Sequence, residues 1–199
     1  MKVELLGITK NAEELIEEAG RTCYKSTPGK KEIIQKWIKM GHESMLEHAS
    51  ATFRISGISR ACSHQLVRHR IASYSQQSQR YVKENKFEGI IPNSIMDNKK
   101  AFELYKNIME LFGETYNKLI EMGVKPEDAR MLLPNACCTE IVVTMNFRAY
   151  RNFFKLRLDE HAQWEIREMA EKMIQILYNK APYVFEDIVF NYVPIMFQI

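Results

Sequence analysis

A chain of 199 residues with 46% hydrophobic and 27% charged side chains has the make-up of one globular domain over residues 1–199, large enough to bury a core without disulfides or metal. Six prolines, eight glycines and 11% aromatics exclude a disordered chain. No run of about 18 apolar residues is present to span a membrane, and a formal charge of +3 does not by itself call for nucleic acid.

The opening MKVELLGI alternates, with Met1, Val3 and Leu5 on one face, and predicts a strand. The polar residues that follow argue against a signal peptide, so the expected location is cytoplasmic. Asn11, with Glu14 three positions later, fits a capped helix start for AEELIEEAGRTCY. Residues 30–40, KKEIIQKWIKM, predict a second helix that Gly41 terminates. From Ala49 to Gly57 apolar and polar residues alternate strictly, the signature of a strand with one wet face. Ser59 then caps a helix through ACSHQLVRHR, and the polar SYSQQSQRYV leads to a turn near Gly89 and Pro92.

Residues 95–122 carry the longest helical pattern, with Leu104, Ile108, Leu111 and Leu119 in a stripe that Phe112 widens, before Gly123 stops it. Pro126 opens a short helix through Arg130 and Pro134 ends it. TEIVVT, from Thr139 to Thr144, predicts a compact strand, followed by helices over 149–158 and 161–178. The second of these places Ile166, Met169, Ala170, Met173 and Leu177 on one side, and Pro182 breaks the chain before an aromatic, β-prone tail. The order is mixed α and β without βαβ alternation. Neither GxGxxG after a strand nor GxxxxGK[ST] occurs, so a dinucleotide fold and a P-loop are unsupported.

Cys23, Cys62, Cys137 and Cys138 show no CxxC spacing and read as reduced thiols, mostly buried small hydrophobes, so no metal site is expected. Many of the arginines gather in 54–80 and 130–157. The rigid guanidinium fork suits phosphate, carboxylate or a ring carbonyl, which points to small anionic ligands. Arg68, His69 and Arg70 close the short helix; about 100° apart, they fit either a junction between ligands or subunits or a positive helix end on its dipole. Ser73, Ser75, Gln76, Gln77, Ser78, Gln79 and Arg80 fit either convergent donors for phosphate and a pyrimidine edge or a solvated loop. Asn146 reads as a ligand or a helix cap, and Arg157, beside Asp159 and Glu160, as a ligand or a surface ion-pair residue. Arg148 and Asn152 share a helix face. His161 and Trp164 suit the core or an interface, and His64 a structural or solvent-facing place. Against a nucleic-acid module stacking bases on Tyr74 and Tyr81 stand the interspersed acids and the lack of a basic tail.

Four blocks in order carry a family resemblance: GHESMLEH at 41–48, Arg68-His69-Arg70 followed after seven residues by Ser78 and then Arg80, LLPNA at 132–136, and MNFRAYRNFFKLRLDEHAQWEIR at 145–167. The chain resembles the flavin-dependent thymidylate synthases over nearly its whole length. The resemblance implies a mixed α/β fold, an antiparallel-containing sheet with long flanking helices of the thymidylate synthase-complementing type. It implies a homotetramer with FAD at subunit interfaces, methylating dUMP with methylenetetrahydrofolate as carbon donor and reduced FAD as hydride donor, NADPH restoring the flavin.

Carried over by match, Ser44, Glu47, Arg68, His69, Arg70, Asn146, Arg148 and Asn152 contact FAD. Gln65, Gln76, Ser78, Gln79, Arg80, Arg130 and Arg157 hold dUMP, and His42 lies near flavin and folate. Arg157 is the expected catalytic residue, stabilising charge on the uracil carbonyl region. Gln76 stands where some members carry glutamate; a neutral amide binds a uracil edge but cannot act as a base. No cysteine sits in a nucleophile setting, and Ser78 lacks an adjacent base, so it reads as a ligand of the phosphate region. The expected partners are these small molecules, without nucleic acid or membrane.

Overall fold

The computed structural model describes residues 1–25, 27, 31–84 and 88–193. The last part of the expected β-prone tail, 194–199, lies outside the described residues. Strands β1 (Lys2–Ile8), β2 (Ser50–Ser59), β3 (Ser73–Gln76) and β4 (Cys138–Asn146) form a four-stranded sheet in the order β1-β2-β4-β3. Thr52 Oγ1 meets Thr144 Oγ1 at 2.9 Å and Phe147 N–H donates to Ala49 O at 2.8 Å, so numbers rise along β2 as they fall along β4 and the pair is antiparallel. On β2 the alternation read from the sequence is realised, with Ala51, Phe53 and Ile55 buried. β3 is a strand the sequence reading missed, because its Ser-Tyr-Ser-Gln carries no apolar period.

The helices, in chain order, are α1 (Ala12–Tyr24), α2 (Ile33–Lys39), α3 (Arg60–Leu66), α4 (Asn93–Met96), α5 (Lys99–Glu121), α6 (Pro126–Ala129), α7 (Phe147–Arg157), α8 (Trp164–Lys180) and α9 (Pro182–Tyr192). None among the described residues is long and apolar enough to cross a membrane. The chain divides into two compact units, the first of Met1–Ile55, Gln65–Tyr74 and Val142–Ile199, the second of Ser56–His64 and Ser75–Ile141.

The first unit is built around an aromatic core. On α7, Phe147, Tyr150 and Phe154 recur at helical spacing and are fully buried. Tyr150 meets Phe53 edge-on with ring centroids 5.8 Å apart, and Phe147 meets Phe185 at 5.2 Å. Each such ring contributes about 1.5–3 kcal/mol by leaving water. The expected stripe of α8, Ile166, Met169, Ala170, Met173 and Leu177, is buried throughout. A Cβ on Gly20 would lie 2.4 Å from the Trp37 ring, so this glycine lets α1 and α2 approach closely.

Two local expectations are corrected here. Asn11 takes a left-handed conformation, φ 49°, with no side-chain cap bond, so it turns the chain into α1 without capping it. Pro182 does not open a β-prone tail. It occupies the first turn of α9, where its missing N–H costs nothing, and Val184, Phe185, Ile188 and Val189 of that helix are buried. The cap of α9 comes from far away: Glu13, on α1, accepts from Tyr183 N–H at 2.8 Å. Burial pushes the Glu13 pKa up, against the pull of this backbone bond.

In the second unit, Ser59 Oγ accepts from Cys62 N–H at 3.0 Å, the cap expected for α3. That helix ends at Leu66, so the Arg68-His69-Arg70 triplet lies beyond it and not in its last turn. Asn98 caps α5, and Gly123 ends it at φ 86°, a conformation glycine adopts without strain. The apolar stripe of α5 is present but uncovered: Leu104 is 67% exposed, Ile108 42% and Leu111 55%. Its buried anchor is Tyr116, whose hydroxyl accepts from Glu84 N–H at 3.2 Å.

Candidate functional site

Eight of the candidate residues line one cleft of about 1030 Å³ in the first unit: Glu47, Arg68, His69, Arg70, Asn146, Arg148, Asn152 and Arg157. Three things bring them together. The short 3-10 turn Ser44–His48 carries Glu47, the segment after α3 carries the triplet, and the end of β4 with α7 presents the rest. Asn146 is the cap of α7, its Oδ1 accepting from Ala149 N–H at 2.8 Å, and it also lines the cleft.

Arg148 donates from Nη1 to Glu47 Oε1 at 2.6 Å, and Glu43 Oε2 stands 4.0 Å from its Nε. The triplet alternates in burial: Arg68 and Arg70 are exposed and His69 half-buried. Ile71 and Leu156 add apolar surface to the same walls. Guanidinium groups beside apolar patches and amides suit a ligand combining phosphate charge with a flat ring. His42 and Ser44 line a second, smaller cleft of about 340 Å³, which shares Glu43 and Arg148 with the first.

Arg157 is half-buried. Its Nε donates to His69 Nε2 at 3.0 Å and its Nη2 to Gln65 O at 3.4 Å, and Asp159 pairs with the exposed His161 at 2.9 Å. His161 therefore lies outside the core. Burial, then the Arg157 charge, pushes the His69 pKa down to about 4, which keeps the imidazole neutral at neutral pH.

The second unit holds the other candidates. Gln76 Nε2 donates to Ser63 Oγ at 2.9 Å and to Thr139 Oγ1 at 3.2 Å. Ser78 Oγ accepts from Arg80 N–H at 3.2 Å, a local turn contact. Arg80 pairs with Glu127 at 3.1 Å and lies over the Tyr81 ring, 5.5 Å from its centroid. Arg130 Nε donates to Glu127 O at 3.1 Å. Gln79 is buried, its amide turned to Cys137 Sγ at 3.5 Å. Cys62 and Cys137 are buried as expected, whereas Cys23 is exposed and Cys138 intermediate. Burial pushes the Cys137 thiol up to about 11, leaving it unsuited to nucleophilic attack. Among the described residues no group of three or more His, Cys, Asp or Glu gathers to hold a metal ion.

Sequence reasoning missed Glu43 and Arg151. Arg151 is 1% exposed and makes a bidentate pair with Asp187, both bonds 2.7 Å, and its Nη1 also donates to Val184 O. Glu43 Oε1 lies 3.5 Å from Arg151 Nε and 3.6 Å from Lys155 Nζ, so one carboxylate balances a buried and an exposed cation. The signal was there: Arg151 stands four residues after Phe147 on the apolar face of α7, where a charge demands a buried partner.

Comparison with known proteins agrees with these features. The family model described as thymidylate synthase complementing protein matches residues 4–183. Flavin-dependent thymidylate synthase of Geobacter sulfurreducens is 45% identical over 201 residues, covering 94% of this chain and 86% of that protein. That of Clostridium tetani is 41% identical over 214 residues, with the same coverage of each, 94% and 86%. That of Pyrococcus furiosus is 55% identical over 139 residues, 68% of this chain and 57% of that protein. With the matched region spanning nearly every element and the arginine-lined cleft within it, the chain belongs to the flavin-dependent thymidylate synthase family.

Proposed function

We propose that this chain converts dUMP to dTMP, with methylenetetrahydrofolate as carbon donor, FAD as the redox cofactor and NADPH as the source of reducing equivalents, in a cytoplasmic homotetramer. The observation that carries the reading is the cleft in which Arg68, Arg70, Arg148, Asn146 and Asn152 converge beside the His69–Arg157 pair. Its guanidinium groups fit a pyrophosphate, and the apolar Ile71 and Leu156 fit a ring system, so the donor set suits FAD. Ser44 and Glu47 complete that set, with His42 toward the folate. Bound flavin supplies the hydride, and the protein supplies alignment and charge.

The chain's own groups do the rest. Arg157 stabilises charge that develops on the uracil carbonyl region. Arg80 and Arg130 hold the phosphate or orient dUMP, and Gln65, Gln76, Ser78 and Gln79 complete the nucleotide-binding set. Gln76, a neutral amide, transfers no proton. The raised Cys137 thiol supports a route without a cysteine nucleophile, and the Ser78 hydroxyl accepts a local backbone bond from Arg80.

The test is anaerobic incubation of purified protein with saturating FAD, dUMP, methylenetetrahydrofolate and NADPH. Formation of dTMP is expected, and none at saturating FAD would refute the assignment. Arg157→Ala is expected to abolish nearly all dTMP formation while the protein stays yellow. Bleached, flavin-free protein would place this arginine in the cofactor site instead.

A further inference from the structure

The segment after α3 does more than contribute three side chains to the cleft wall. A guanidinium only donates, so the 3.0 Å contact from Arg157 Nε requires His69 Nε2 to accept and places the ring proton on Nδ1. The ring itself is held. It meets the buried Phe153 edge-on, with centroids 5.0 Å apart and planes at 78°. Its main chain is held as well: the Tyr74 hydroxyl lies 2.8 Å from His69 O and 2.9 Å from Leu66 O. Arg157 is in turn gripped at two points, Nε on His69 and Nη2 on Gln65 O, which stops its plane turning about the Cδ–Nε bond.

We propose that His69 is a positioning residue for Arg157: as a fixed, neutral acceptor it sets the orientation of the guanidinium that faces the uracil, while its neighbours Arg68 and Arg70 turn outward to the cofactor. The inference rests on the role given to Arg157 under the proposed function. The burial pattern of the triplet, exposed, half-buried, exposed, is what such a division of labour needs. An imidazolium here would turn an N–H toward a guanidinium, and burial together with the Arg157 charge keeps the ring neutral across the assay range. Hydrogen bonds to charged groups carry about 1.5–3 kcal/mol, which corresponds to roughly 10–100-fold in rate if the lost orientation matters only to the transition state.

The experiment uses flavin-loaded protein in the anaerobic dTMP assay. His69→Phe keeps the edge contact with Phe153 and removes the acceptor. Assayed at saturating FAD, it is expected to lower kcat roughly 10–100-fold, with the KM for dUMP changed less than about threefold. His69→Gln sets an amide oxygen near the place of Nε2 and should recover activity to within about fivefold of the unaltered protein. In an Arg157→Lys background, His69→Phe should cost less than about threefold, because the partner it positions is gone. Equal losses in both backgrounds, no rescue by glutamine, or flavin loss as the sole effect would each overturn the proposal. If the unaltered protein makes no dTMP, the functional reading fails, and histidine-labelled NMR of that protein still decides the geometry: a Nδ1–H tautomer at His69 supports it and a Nε2–H tautomer overturns it.

Discussion

Neighbouring positions on α7 put the same side chain into different media. Arg148 has half of its side chain in solvent and shares the cleft with Glu47, whereas Arg151, three residues on, is 1% exposed and locked to Asp187. One turn of helix separates a cation available to a ligand from a cation spent on the fold. Arginine content alone therefore says little about binding; what counts is whether the carboxylate partner lies inside the protein or at the mouth of a cleft.

The contrast can be broken most severely at the buried position. Arg151→Ala leaves Asp187 without its fork and the Val184 carbonyl without its donor, and should cost about 3 kcal/mol in urea-unfolding stability of the flavin-free protein. A loss under about 1 kcal/mol would show that solvent at the half-exposed Asp187 already screens the pair. Acid offers a second handle. Burial opposes ionisation of Asp187, but its hydrogen bonds to Arg151 and the charges of Arg151 and Lys155 carry its pKa below the ordinary carboxylate range. A carboxylate depressed in the folded state adds stability above its unfolded pKa of about 4, and that stability drains as pH falls through the folded value. Asp187→Asn should therefore be less stable than the unaltered protein at pH 7, with the gap narrowing below about pH 4 in acid titrations followed by circular dichroism.

Smaller effects belong to the cleft. Asn146→Ala removes the cap of α7 and should cost about 1 kcal/mol in the same unfolding measurement. Arg148→Ala should shift stability by less than about 0.5 kcal/mol yet weaken flavin retention, read as absorbance per chain after gel filtration. If both arginines instead lowered stability alike, the division between the two positions would be wrong.

The helices α5 and α8 show what the sequence could and could not disclose. Both carry apolar stripes at helical spacing, and on α8 every member is buried, whereas on α5 Leu104, Ile108 and Leu111 stand exposed. Periodicity reveals that a helix has an apolar face, not what covers it. β2 and the first strand were legible from their alternation, and β4 as a compact β-branched run. β3 was not, since Ser-Tyr-Ser-Gln pairs through its backbone. The membership of the cleft was carried by resemblance, block by block. The wiring inside it was not: the Arg157–His69 bond spans 88 positions, and nothing local to either residue announces it.

The bond from Glu13 to Tyr183 has a consequence for synthesis. Its partners are 170 positions apart, so the carboxylate that completes α9 emerges from the ribosome long before the helix it serves. The first unit takes its residues from three separate stretches of the sequence. Phe53 meets Tyr150 from a distant stretch of chain, so the strand residue is made well before the ring that covers it.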